Sequence, residues 1–195
     1  KVLYELAWNH QEKGDLSVAA RFFEQLAQQF PESDHNAEAT YMLAQQQYDA
    51  QQYSQAATTY TSVLARTEDP ELLEKTQYKI GWSLYQQQRY EQAAKHFSQQ
   101  VTDFPDGPLA VDAQFMTAEC AFQQQRYQDA LPGYQQARRM LEAATSSAAS
   151  DQVRSLIYLH GAQCYRELAR WDECEAWLKV VVEGNERLFP GQPLA

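Results

Sequence analysis

Apolar and polar positions alternate along this chain with a helical period that restarts at regular intervals. In DLSVAARFFEQLAQQF the apolar residues Leu16, Ala19, Ala20, Phe23 and Leu26 fall on one stripe of a helix, and Asp15 stands where a cap belongs. The preceding stretch VLYELAWNHQEKG carries its own apolar stripe and closes on Gly14, a residue suited to the left-handed position after a helix end. The pattern therefore predicts two amphipathic helices joined by a tight turn, here called helix A and helix B.

The same pair recurs. Small residues in helix B fall at Ala19, Ala56, Ala93, Ala130 and Cys174, in steps of 37, 37, 37 and 44. Three positions before each stands Leu16, Tyr53, Tyr90, Tyr127 or Trp171, and four positions after each stands Phe23, Tyr60, Phe97, Tyr134 or Leu178. Helix A has its own small residues at Ala7, Ala44, Gly81, Ala118 and Ala162, and two small residues on facing helices let the backbones approach closely. Three registers kept together separate QQQRY at 86–90 and 123–127 from a glutamine-rich accident: it marks the turn between helices, with Tyr90 or Tyr127 starting helix B and the glutamines facing solvent. Pro31 and Pro105 follow helix B in repeats one and three, where a proline ends a helix; Pro70 is read the same way, slightly later, in repeat two. Pro132 falls inside the fourth helix B near its first turns.

These positions resemble the tetratricopeptide repeat, a helix-turn-helix unit with a small residue in each helix, aromatics at the start and middle of helix B, and a closing proline. The resemblance implies an all-α, right-handed superhelical solenoid of about five repeats, at 2–36, 37–73, 74–110, 111–145 and 153–188, with 189–195 as a tail after the fading helix GNERLFPG. The segment ATSSAAS at 144–150 reads as an extension of the fourth helix B or as a loop. The lengthened connectors FPESDHNAEA and FPDGPLAVDA are similar to those of bacterial cell-envelope repeat proteins, such as the outer-membrane assembly lipoproteins and the Tol-Pal-associated periplasmic factor. That likeness favours the periplasm or cell envelope over the cytoplasm. Residue 1 is Lys and the helical pattern is running by Leu3, so the chain reads as a piece of a longer one.

Composition narrows the function. Among 195 residues, 44% are hydrophobic and 22% charged, as in a folded domain. The formal net charge of -10 sets the overall field against a nucleic-acid partner, and no apolar run approaches the length of a membrane span. Neither nucleic acid nor direct membrane insertion is expected. The four histidines lie one per repeat or connector, no HExxH, GxSxG, GxGxxG or P-loop pattern occurs, and the carboxylates are scattered. No enzyme, cofactor or metal is expected. Cys120, Cys164 and Cys174 lack CxxC spacing and read as buried packing residues.

The informative surface is on helix A. Fifteen positions before each helix-B small residue come Tyr4, Tyr41, Tyr78, Phe115 and Leu159; eleven before come Trp8, Gln45, Trp82, Glu119 and Gln163; eight before come Gln11, Tyr48, Tyr85, Phe122 and Arg166. Tyr78, Trp82 and Tyr85 thus share one stripe, rotated from Gln77, Gly81 and Leu84, which face helix B. In the family resembled, helices A line a concave wall that commonly holds a peptide. The resemblance therefore implies a partner-binding groove at Tyr41, Tyr48, Tyr78, Trp82, Tyr85, Phe115 and Phe122, with Glu5, Glu38, Asp49, Lys75, Lys79, Asp112 and Glu119 tuning ligand choice. For Tyr4, Tyr41, Tyr78 and Phe115, packing between successive helices A is the equal alternative. The Lys, Asn and Arg clamp that grips a chaperone's C-terminal carboxylate is broken, because Glu5, Trp8 and Met42 stand at corresponding places and only repeat three offers Lys75 and Lys79. The expected function is a non-catalytic protein-protein interaction scaffold. Its rivals are self-assembly through Val2, Leu3 and Leu6, and service as the regulatory arm of a larger enzyme.

Overall fold

The computed structural model describes residues 1–143 and 151–188, so ATSSAAS at 144–150 and the tail at 189–195 lie outside the described residues. All regular structure among the described residues is helical. The helices are α1 (Val2–Glu12), α2 (Leu16–Gln29), α3 (Asn36–Asp49), α4 (Tyr53–Leu64), α5 (Pro70–Gln86), α6 (Tyr90–Asp103), α7 (Ala110–Phe122), α8 (Tyr127–Ala143), α9 (Asp151–Glu167) and α10 (Trp171–Leu188). Odd-numbered helices are helices A and even-numbered ones helices B. The chain divides into two compact units, residues 1–96 and 97–195. In the first, α1 packs on α2, α2 on α3, α3 on α4 and α4 on α5; in the second, α7 packs on α8, α8 on α9 and α9 on α10.

The small residues do what their spacing predicts. Ala7, Ala19, Ala44, Ala56, Ala93 and Ala130 are 0% exposed, and Ala118, Ala162 and Cys174 are buried. The close approach is demanding: a Cβ on Gly133 would stand 2.8 Å from the Ala118 Cβ, and one on Gly161 would stand 2.2 Å from the Trp177 ring. Large side chains fill the space around the alanines, with Phe23, Tyr60, Phe97 and Tyr134 all fully buried. Each such burial is worth about 2–3 kcal/mol.

The five turns within repeats share one hydrogen-bond pattern. After α3, Gln51 N donates to Tyr48 O at 2.9 Å and Gln52 N to Gln47 O at 2.8 Å; after α5, Gln88 N donates to Tyr85 O and Arg89 N to Leu84 O; the turns after α1, α7 and α9 repeat it. This is the Schellman closure, which requires a left-handed residue after the helix. Gly14 takes that place in the first repeat with φ 80°, but Gln51, Gln88, Gln125 and Ala169 take it in the others with φ between 57° and 60°. The glutamines of QQQRY are therefore more than solvent-facing filler: Gln88 and Gln125 hold the conformation that reverses the chain.

Pro31 and Pro105 follow the ends of α2 and α6. Pro70 does not close α4; it is the first residue of α5, where its missing N–H costs no helical bond, and the Asp69 carboxylate accepts from Glu71 N at 3.1 Å as the cap. Asp15 sits at the start of α2 without a side-chain cap bond, and its carboxylate lies 3.3 Å from His10 Nδ1 instead. Pro132 is accommodated inside α8. Trp171 departs from the pattern: it is 64% exposed. Tyr53, Tyr90 and Tyr127 each pack edge-on against an aromatic five residues earlier, across the turn, with centroids 5.2–5.6 Å apart. At the matching place before Trp171 stands Arg166, which pairs with Glu167 at 2.7 Å.

Candidate binding face

The helix-A residues do not form one uniform ladder. In the first unit, an open cleft of about 450 Å³ lies between α1, α3 and the α4–α5 corner. Trp8, Tyr41, Met42 and Leu72 supply its apolar lining; Asp34, Glu38, Asp69 and Glu71 bring carboxylates; Arg66 and Lys75 bring cations. Helical spacing explains the convergence: Glu38, Tyr41 and Met42 lie on one face of α3, and Leu72 and Lys75 on one face of α5. Tyr41 leans edge-on against the buried Tyr60 at 5.3 Å. Trp8 meets Phe23 edge-on at 6.0 Å and Tyr4 at 6.2 Å. The Tyr4 ring stacks on His35 at 4.3 Å while its hydroxyl donates to Glu38 at 2.6 Å, tying α1 to α3. Burial, and after it that bond, push the Tyr4 phenol up to about 12.

Of the residues expected in the groove, Tyr41 and Lys75 line this cleft, and Glu38, Trp8 and Met42 join them. Tyr48 and Lys79 meet farther along α3 and α5, with the ammonium 5.4 Å from the ring centroid. Half-burial depresses the Lys79 ammonium, and nearby Asp49 opposes that shift. Tyr78, Trp82 and Tyr85 form a ladder along α5, at 6.3 Å and then 5.5 Å, which Tyr90 continues at 5.2 Å. Tyr48 and Tyr85 thus give part of their surface to the helix-B aromatic across the turn.

In the second unit the matching positions turn inward. Phe115 and Glu119 are each 5% exposed. The Glu119 carboxylate accepts from the Tyr134 hydroxyl and lies 2.5 Å from His160 Nδ1. The His160 ring lies flat on Phe122, 4.7 Å between centroids and 3° between planes. Three helices, α7, α8 and α9, so converge on one buried carboxylate. The sequence signal that could have found this is the pairing of the middle positions: Gln45 accepts from the Tyr60 hydroxyl at 3.0 Å, as Glu119 does from Tyr134, while Trp8 faces a phenylalanine that needs no partner. Asp112, in the first turn of α7, is half-buried, and desolvation pushes its carboxyl up to about 6.

Burial also pushes the thiols of Cys120 and Cys164 up to about 12, so neither is a nucleophile near neutral pH. No group of three or more His, Cys, Asp or Glu among the described residues could hold a metal ion. None of the described helices is long and apolar enough to cross a membrane.

Comparison with known proteins agrees with the helix pairs. Two tetratricopeptide-repeat family models match, one over residues 10–75 and one over 78–139. No curated protein matches the sequence. Among solved structures, MamA 41-end from Desulfovibrio magneticus RS-1 is similar at 14% identity, over 97% of this chain and 96% of that one, with a TM-score of 0.74. The TPR-like repeats of a Podosopora anserina putative kinesin light chain align at 16% identity over 97% of this chain and 96% of theirs, TM-score 0.71. The apo form of RapI aligns at 12% identity over 97% and 84%, TM-score 0.63. At these identities the likeness speaks to fold alone. Two family models that between them span most of the sequence, on the helix pairs described above, place the chain in the tetratricopeptide-repeat family.

Proposed function

We propose that this chain is a non-catalytic protein-protein interaction module that holds a segment of its partner on the helix-A face of the first unit. One observation carries the reading: an open cleft of about 450 Å³ collects Trp8, Tyr41, Met42 and Leu72 from helices far apart in sequence. Aromatic and methionine side chains present large contact area at small entropic cost, and they adapt to an extended or helical peptide.

A display library of short peptides, selected on the protein, tests this. Peptides with apolar anchors should enrich, and a Tyr41→Ser, Met42→Ser double variant should lose them while its helical content and melting change little. If the variant unfolds, these side chains are core and the cleft is no docking site.

A second reading is self-association. Val2, Leu6 and Leu16 of the first repeat are 69%, 39% and 50% exposed, and Trp171 and Leu178 of the fifth are 64% and 39% exposed. Apolar area left in water on a helical repeat suits a stacked copy. Sedimentation that stays monomeric across a wide concentration range would remove it.

A further inference from the structure

The charges around the cleft say more than that a peptide fits. Asp34 and Glu38 stand at the start of α3, and Asp69 and Glu71 at the α4–α5 corner. The two cations are already engaged. Lys75 pairs with Glu71 one helical turn back, and Arg66 Nη1 donates to Asn36 Oδ1 at 2.9 Å and Thr40 Oγ1 at 3.3 Å. Glu38 accepts one hydrogen bond from Tyr4 and Asp69 one from a backbone amide, which leaves each carboxylate with lone pairs to spare. Four carboxylates against two cations leave the cleft negative, in a chain whose net charge is -10.

The same chain shows how such a surface holds a cation. Lys79 lies 5.4 Å over the Tyr48 ring, and the Asp49 carboxylate is near enough to favour its charge. The cleft repeats those ingredients, with the rings of Trp8 and Tyr41 and the carboxylates of Asp34 and Glu38, while its lysine, Lys75, is taken up by Glu71.

We propose that the cleft receives a partner segment in which a lysine or arginine stands beside an apolar side chain, the cation meeting Asp34, Glu38 and the aromatic faces, the apolar group meeting Met42 and Leu72. This rests on the reading of the cleft as a peptide-docking site. It selects against an acidic segment or a free C-terminal carboxylate, which would meet the carboxylates with no uncommitted cation to answer them.

Three fluorescein-labelled peptides of equal length test it by anisotropy: one built of Leu and Arg, one of Leu and Glu, one of Ser and Arg. The Leu/Arg peptide should bind at least about tenfold more tightly than either of the others and weaken as salt is raised. An Asp34→Asn, Glu38→Gln double variant, which keeps the acceptor oxygens, should weaken it about fivefold or more with unchanged melting. Equal or tighter binding of the Leu/Glu peptide overturns the charge assignment and leaves the docking reading standing. Failure of both leucine peptides overturns the docking reading as well. Equal binding of the Ser/Arg peptide reveals diffuse attraction to an acidic protein and overturns the proposal, as does a double variant that binds like the parent.

Discussion

Lys79 and His160 occupy the same register, fourteen residues before the helix-B small residues Ala93 and Cys174, and each covers the aromatic ring that the preceding helix A offers. The outcomes differ. Lys79 reaches over Tyr48 with a flexible stem and stays half-buried beside Asp49; in the same unit, the face between α1, α3 and α5 remains open. His160 lies flat on Phe122 and reaches past it to Glu119, so the place that Lys79 takes in the first unit is filled in the second by a hydrogen-bonded core. One register position thus yields a half-buried cation–π contact in one unit and a buried hydrogen-bonded staple in the other, and the side chain's shape decides which.

The largest expected effect comes from removing the staple. His160→Ala leaves Glu119 buried with Tyr134 as its one remaining partner of the two and opens a void above Phe122, so urea unfolding should show a loss of about 3 kcal/mol. Lys79→Ala, at the same register, should cost about 1 kcal/mol or less, the scale of a partly exposed cation–π contact. Equal losses would erase the distinction between the two units. Next in size is the middle position. Gln45→Leu strands the fully buried Tyr60 hydroxyl and should cost about 1–2 kcal/mol, and adding Tyr60→Phe should recover most of it, which a double-mutant cycle measures. Asp112 offers an effect of similar small size and opposite sign. Its folded-state pKa is raised to about 6, above the ordinary carboxyl value, so the native state holds that proton more tightly than the unfolded chain. The stability it contributes is present in acid and is lost as pH rises through 6. Asp112→Asn removes that loss: it should gain about 1 kcal/mol at pH 7 and nothing near pH 4, read from melts at the two pH values.

Much of this was legible in the sequence because repetition amplifies it. A small residue every 37 positions, flanked by aromatics at fixed offsets, reports a packing geometry that each repeat must solve again, and Ala19, Ala56, Ala93 and Ala130 are all fully buried as that requires. What stayed hidden depends on contacts between repeats. Glu119 looks like a surface charge until His160, 41 residues on, is brought against it. Trp171 looks like Tyr90 and Tyr127 until Arg166 is seen to offer no ring to pack on. Tyr41 and Lys75 could be placed on helix A from spacing, yet that they share a cleft with Trp8, while Phe115 and Glu119 face inward, follows from which helices meet. Pro70 was misread for a simpler reason: a proline after one helix and a proline opening the next look alike when the connector is short.

The turns carry a consequence for how this sequence can change. Four of the five hold a non-glycine residue, Gln51, Gln88, Gln125 or Ala169, in the left-handed conformation, at about 1 kcal/mol each relative to glycine. The conformation is imposed by the packed helices on either side and not chosen by the residue itself. Each turn therefore tolerates a locally unfavourable residue so long as its helix pair stays docked, and each leaves a glycine substitution untaken. The array has latent robustness at sites remote from Trp8 and Tyr41, against which new and initially destabilising side chains on the helix-A face can be tried without loss of the fold.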